Sequence, residues 1–167
     1  MKNILVTGGG GYVGTNLVNE LLSENYIVTV LDTFWFGNNL KKHKNLKIIK
    51  KDIRSINEKD LKKIECIMHL ASIANDPAAE LDAKLTWDVN VLATYKLINL
   101  AINQKVKKFI FASSGSVYGI KKEKRVTEDL SLEPVSEYNK SKMIGERILL
   151  SYKKKIDLTI LRPATVC

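Results

Sequence analysis

The 167-residue chain has two cysteines and two histidines, and this scarcity excludes several kinds of protein. Cys66 lies in an apolar run and Cys167 is the terminal residue, so neither a disulfide framework nor a zinc-ligand spacing is expected. His43 and His69 lack partners at ligand spacing, and no metal site is expected. No apolar stretch approaches the length that crosses a bilayer, and Met1-Lys2-Asn3 leads directly into an apolar run without a signal peptide. The expectation is therefore a cytoplasmic protein with no membrane partner. Acidic residues are also few: 18 Asp and Glu face 27 Lys and Arg, for a formal net charge of +9. Such an excess raises nucleic-acid binding as a competing class, because basic charge attracts phosphate without regard to sequence. The lysines are dispersed and lack interleaved aromatic platforms, so nucleic acid is not expected as a partner. The runs Lys41-Lys42-His43-Lys44 and Lys121-Lys122-Glu123-Lys124-Arg125 read as solvated loops.

What the chain does have is an alternation of short apolar strands and periodic helices. Apolar residues make up 45% of it, enough for one domain with a real core. Strand-like runs fall near 3–7, 27–31, 46–50, 66–71, 108–113 and 158–161, and helical periodicity lies between them. Tyr12 to Ser23, for example, places Val13, Leu17, Val18, Leu21 and Leu22 on one side. This pattern predicts an α/β fold, a doubly wound parallel (Rossmann) sheet with helices on both faces. No internal repeat or low-complexity linker divides the chain.

Between the first strand and the first helix stands Thr7-Gly8-Gly9-Gly10-Gly11-Tyr12-Val13-Gly14. Glycine at 8 permits a tight turn, at 11 lets the backbone approach a pyrophosphate, and at 14 lets helix and strand pack closely. The helix N-terminus would then face the anion. The spacing is G-x-x-G-x-x-G, which departs from the commoner G-x-G-x-x-G. Asp32 supports the same interpretation: it ends the second strand, about 20 residues beyond the turn, where a carboxylate binds a ribose 2′-hydroxyl. It is followed by Thr33 with no Arg or Lys beside it, so a 2′-phosphate would meet an uncompensated anion. NAD is the expected cofactor, ahead of NADP.

A tyrosine four residues before a lysine occurs twice, and in so lysine-rich a chain about one match is expected by chance. Tyr118 and Lys122 sit beside Gly119 in an expected loop, where a fourth neighbour has no assured direction. Tyr138 and Lys142 follow Pro134 and a possible Ser136 cap, at the start of a periodic segment through Met143, Ile144, Ile148 and Leu149. Positions four apart share a helix face, so the second pair is assigned the chemistry. Making a phenol a base near pH 7 requires about 4 kcal/mol in favour of the phenolate. One cation at ~5 Å and an effective dielectric of ~20 supplies ~3 kcal/mol. Lys142 is thus expected to lower the Tyr138 pKa. Ser114, at a strand end, would donate a hydrogen bond to the reacting oxygen.

These landmarks resemble, over essentially the whole chain, the NAD-dependent epimerase/dehydratase family of extended short-chain dehydrogenases/reductases, whose best-known members act on nucleotide sugars. Further landmarks are Asp52-Ile53-Arg54, His69-Leu70-Ala71-Ser72, Asn90-Val91-Leu92-Ala93-Thr94, Ser113 to Gly119, Glu146 after Lys142, and Leu161-Arg162-Pro163. The resemblance implies that Gly8, Gly11, Tyr12, Val13 and Gly14 hold NAD and that Asp52 and Ile53 flank its adenine. It also implies that Leu70, Ala71 and Ser72 line the cofactor, that Asn90 lies near it, and that Tyr138 and Lys142 touch it. His69 taken alone is a structural histidine at a strand end.

Where similar sugar dehydratases carry Asp-Glu, this chain has Gly115-Ser116, and the acid and base for eliminating water are missing. Decarboxylating relatives usually keep a glutamate at the Ser116 position. The small pair resembles 4-epimerases, so the expected function is NAD-dependent nucleotide-sugar epimerisation. A sugar dehydrogenase or reductase of the same family is the alternative, and a non-catalytic NAD-sensing domain is a competitor of another class. The expected partner is a small-molecule substrate, with a homodimer an open option. Arg162-Pro163-Ala164-Thr165 resembles the point where family members pass into a smaller substrate-gripping domain. The expectation is that residues 1–167 are an NAD-binding N-terminal part, without the C-terminal substrate domain.

Overall fold

Ile4, Leu5 and Val6 are all buried, as a central strand covered on both faces requires. In the computed structural model, which describes residues 2–164, they belong to β1 (Asn3–Thr7). The elements that follow are α1 (Tyr12–Ser23), β2 (Ile27–Asp32), β3 (Leu46–Lys50), β4 (Cys66–His69), α2 (Asp76–Leu81), α3 (Ala83–Trp87), α4 (Ala93–Asn103), β5 (Lys108–Ala112), α5 (Glu137–Leu150) and β6 (Asp157–Leu161). The strands form one parallel sheet in the order β3-β2-β1-β4-β5-β6. Strand order reverses between β1 and β4, and a crevice opens there at the carboxyl ends of the strands. The expected doubly wound parallel sheet is the observed one.

Alternation along each strand divides the core in two. Ile4, Val6, Val28 and Val30 pack with Val18, Leu21 and Leu22 of α1. Leu5, Leu31, Ile67, Phe109 and Phe111 face the other way, toward Leu97, Ile98 and Ala101 of α4 and Leu149 of α5. Helices therefore cover both faces, each through a stripe at helical spacing.

The connections carry the local departures. The crossover from β3 to β4 is made of two 3₁₀ turns, Ile53–Ser55 and Glu58–Leu61, in place of an α-helix. Strand β4 stops at His69, short of the expected 71, because the chain turns under the glycine loop once Leu70 N has donated to Thr7 O. Between α3 and α4 the helix widens into a π turn, Asp88–Leu92, with the Ala93 amide reaching back to Asp88 O. Lys121 departs from the solvated-loop expectation: its side chain is largely covered and its ammonium bonds Glu133 at 2.8 Å. Thr165 and Cys167, whose sequence features are described above, lie outside the described residues.

Candidate active site

Two glycines of the turn, Gly8 and Gly14, sit in contacts that leave no room for a side chain. Gly8 has φ +73, and a Cβ there would lie 2.6 Å from Ala71 N. A Cβ on Gly14 would lie 2.3 Å from Gly8 O, so α1 packs onto the turn only through glycine. Gly11 differs, since its missing Cβ would meet nothing nearer than Gly8 O at 3.4 Å. Gly11 also caps α1 without a side-chain hydrogen bond, which leaves the first amides of the helix available to an anion. Gly8, Gly11, Tyr12, Val13 and Gly14 form one wall of a cleft of about 410 Å³. Leu70 and Ala71, packed directly against Gly8, also line it, as do Ser72, Asp32, Asp52 and Ile53.

Both oxygens of Asp32 are engaged. Gly10 N donates to one at 2.9 Å and Phe34 N to the other at 2.7 Å, so the carboxylate ties the glycine turn to the loop after β2. Phe34 takes φ 56 and lays its ring against Gly10, where a Cβ would meet the ring at 2.6 Å. Phe34, Trp35 and Phe36 also line the cleft, an addition to the residues expected from the sequence. The signal for them is three aromatic residues in an otherwise polar loop immediately after Asp32. Lys51 lines the cleft too, and its ammonium is bound to Asp60 at 2.6 Å. Asp52 grips the Arg54 guanidinium, whose hydrogen bonds hold its carboxyl below the ordinary range.

Asn90 lies behind the wall. Its side chain accepts from Ile73 N at 2.8 Å, donates to Ile73 O at 3.1 Å, and donates to Ser141 Oγ at 2.9 Å. It therefore fixes the end of the Leu70–Ile73 wall to α5. His69 connects in the same layer. Thr94 Oγ1 donates to Asn90 O, so it accepts from His69 Nε2–H, leaving Nδ1 to accept from Thr7 Oγ1 at 2.6 Å. Burial pushes the imidazole down to about 3, and it is neutral at physiological pH. This is the structural histidine that the sequence suggests.

The second half of the site is built on α5. Ser136 caps this helix by accepting from Asn139 N at 3.1 Å. Tyr138 and Lys142 therefore lie on one face. Ser114, at the end of β5, caps the 3₁₀ turn Gly115–Tyr118, accepts from Ser116 N at 3.2 Å and shares a hydrogen with Ser116 Oγ at 2.7 Å. Lys142 is 3% exposed, and its ammonium donates to Ala112 O at 2.9 Å, lying 5.7 Å from the Tyr138 ring centroid. Burial pushes it down to about 8. The expected lowering of Tyr138 is corrected: burial raises its phenol, the facing Ser114 hydroxyl acts against this, and the charge of Asp76 adds to it. Desolvation of the phenolate is the largest of these influences.

Tyr118 is held for a different purpose. It is buried, and its hydroxyl accepts from Arg162 Nη1 at 2.7 Å, while Lys122 lies exposed in the following loop. Its Tyr-x-x-x-Lys match brings no pair together. Among the described residues no cluster of three or more His, Cys, Asp or Glu could hold a metal, and no helix is long and apolar enough to cross a membrane.

A parallel sheet with a glycine-walled cleft at its switch point, together with a serine and a helical tyrosine-lysine pair, defines a dinucleotide-dependent class of protein. The model of the NAD dependent epimerase/dehydratase family matches residues 4–167, and the chain belongs to that family. It is 33% identical to a putative UDP-glucose 4-epimerase of Methanocaldococcus jannaschii over 98% of this chain and 55% of that protein. Among solved structures it is similar to the UDP-N-acetylglucosamine 4-epimerase of Methanobrevibacter ruminantium M1 in complex with UDP-N-acetylmuramic acid, at TM-score 0.91 and 34% identity over 96% of this chain and 54% of that one. It is also similar to the UDP-glucose 4-epimerase of Thermus thermophilus in complex with NAD, at TM-score 0.86 and 28% identity over 96% and 54%. The chain spans about half the length of the relatives it matches.

Proposed function

We propose that these residues are the cofactor-binding part of an NAD-dependent nucleotide-sugar 4-epimerase. The observation that carries this reading is the convergence of Ser114, Tyr138 and Lys142 in a fold whose cleft is closed against a Cβ at Gly8 and Gly14. The residues fit the cofactor. The open backbone at Gly11 and the uncapped start of α1 suit a pyrophosphate, and the Asp32 oxygens keep lone pairs for ribose hydroxyls. Gly8, Tyr12, Val13 and Gly14 would form the wall behind the pyrophosphate, Leu70, Ala71 and Ser72 the wall beside it, and Asp52 and Ile53 the adenine end. Asn90 would support that wall from behind. When bound, NAD supplies reversible hydride acceptance.

The protein residues move the proton. Tyr138 would take it from the sugar hydroxyl as the hydride leaves and return it afterwards. Ser114 would donate to the same sugar oxygen and hold it within reach of the phenol, while Lys142 lowers the cost of the phenolate once the oxidised ring adds its charge. Ser116 supports epimerisation over dehydration, because its hydroxyl bonds Ser114 at the place where an eliminating enzyme needs a carboxyl group.

The test has two arms. The 167-residue chain should bind NAD in a calorimetric titration and show no measurable turnover of a nucleotide sugar. The protein at its natural length should interconvert UDP-glucose and UDP-galactose, or their N-acetylated counterparts, without net NADH accumulation. Stoichiometric NADH release would instead support a dehydrogenase, and absence of NAD binding would end the proposal.

A further inference from the structure

Helix α5 carries three functional-looking side chains at positions i, i+4 and i+8, and the first two are Tyr138 and Lys142. The third, Glu146, is 0% exposed and belongs to no step of the chemistry above. Successive turns of the helix meet successive residues at the end of β5. Lys142 Nζ donates to Ala112 O at 2.9 Å, and Ser113 Oγ donates to Glu146 Oε1 at 2.5 Å. Ser114 follows directly and faces Tyr138. The Glu146 carboxylate is also gripped by the guanidinium fork of Arg162, Nε to Oε1 at 2.9 Å and Nη2 to Oε2 at 2.7 Å. The remaining arm of that guanidinium, Nη1, donates to Tyr118 Oη at 2.7 Å.

Ser114 is therefore bracketed. Ser113 N donates to Leu161 O at 2.8 Å and Gly115 N to Pro163 O at 2.7 Å, so the backbone on either side of Ser114 is held by the residues flanking Arg162. Tyr118, at the far end of the same 3₁₀ turn, is held by Arg162 itself. One guanidinium thus connects the loop that carries Ser114 to the helix that carries Tyr138. A bidentate arginine–carboxylate pair fixes orientation as well as distance, which makes it suited to that connection.

We propose that Glu146 and Arg162 form a cross-brace that sets α5 against the Ser113–Tyr118 loop, and that Glu146 is thereby a positioning residue for the Ser114–Tyr138 pair. The proposal rests on the reading of Tyr138 as the base. Buried ion pairs are often no better for stability than an apolar pair of similar volume, so stability alone does not account for this one. Alignment does: a displacement of ~1 Å in a reacting group lowers rates ~100-fold.

The test separates stability from alignment. Tyrosine carrying carbon-13 at Cζ is incorporated into the chain, and the Tyr138 resonance, which reports the hydrogen bonding of its phenol, is assigned by its loss in Tyr138→Phe. Three variants are compared: Glu146→Gln, the apolar pair Glu146→Leu/Arg162→Met, and Ser113→Ala, which keeps the ion pair and cuts only its link to β5. The Tyr138 resonance should move toward that of a solvated tyrosine in all three, including an apolar pair that regains the parental Tm. At natural length, kcat should fall ~10-fold or more with KM little changed. A parental resonance and parental kcat in the apolar pair would overturn the brace. If that pair does not fold, an unmoved resonance in Ser113→Ala would do so. An equal shift in Tyr152→Phe, which loses only a bond to Asn99, would also overturn it by showing that general loosening suffices. A shifted resonance in a protein whose natural-length form has no epimerase activity would uphold the brace and refute the functional reading.

Discussion

Gly14 approaches Gly8 so closely that a Cβ on the first would lie 2.3 Å from the carbonyl oxygen of the second, and 2.7 Å from Gly9 Cα. The obstacle is backbone on both counts, so no rotamer change relieves it. Gly14→Ala should push α1 away from the turn, lowering NAD affinity at least tenfold and Tm by about 5 °C, from an overpacking cost of ~1–3 kcal/mol. Calorimetry and thermal melts check this. An unchanged NAD affinity would mean that the turn does not hold the pyrophosphate.

The Asp32 carboxylate, fixed by the Gly10 and Phe34 amides, predicts cofactor choice. One unit of negative charge at ~4 Å and an effective dielectric of ~20 is opposed by up to ~4 kcal/mol, less with solvent exposure. The Lys51 ammonium is already paired with Asp60. NAD should bind at least tenfold tighter than NADP in parallel titrations, and equal affinities would contradict the role assigned to Asp32.

The two tyrosines should separate cleanly. In the protein at natural length, Tyr138→Phe should lower turnover ~100-fold or more with little effect on NAD affinity, as expected for a lost general base. Tyr118→Phe removes the acceptor of Arg162 Nη1 and should cost ~1–3 kcal/mol of stability, with a smaller loss of turnover. If Tyr118→Phe were the more damaging to turnover, the assignment of the base would be wrong.

His69 predicts a pH dependence. Its folded-state pKa is pushed from 6.5 to about 3 by burial, so the unfolded chain binds the proton that the folded one refuses. Its stabilising contribution is complete above about pH 6.5 and is lost as pH falls toward 3, which amounts to ~2 kcal/mol between pH 7 and pH 5. Denaturant melts at the two pH values check the sum, and His69→Gln isolates the histidine by flattening the difference. A parental slope in that variant would place the effect elsewhere.

Much of this arrangement is legible in local sequence signals. The α1 stripe, the Ser136 cap and the glycine turn each depend on neighbours a few residues apart, and α1 runs over the expected Tyr12–Ser23. The choice of Tyr138 over Tyr118 as a helical pair is legible for the same reason. Features that depend on distant partners are not. Nothing near Lys121 in sequence announces Glu133, and nothing near Asn90 announces that a π turn aims it at Ile73 and Ser141. The raised Tyr138 pKa escapes a pairwise charge estimate, which omits the burial of both partners.

Among the described residues β6 is an edge strand, and its late place in the chain bears on the order of assembly. Among those residues it pairs with β5 alone, yet Arg162, the residue after it, reaches the buried carboxylate of Glu146. A nascent chain that has emerged only through α5 holds Glu146 without the guanidinium that neutralises it. Loop-closure entropy makes such non-local parallel pairing slow, and domains form as their segments leave the ribosome. Under the proposed brace, α5 and the Ser113–Tyr118 loop are set against each other only after β6 has docked. A chain released ahead of Arg162 would carry every group of the proposed chemistry and still lack a settled place for them.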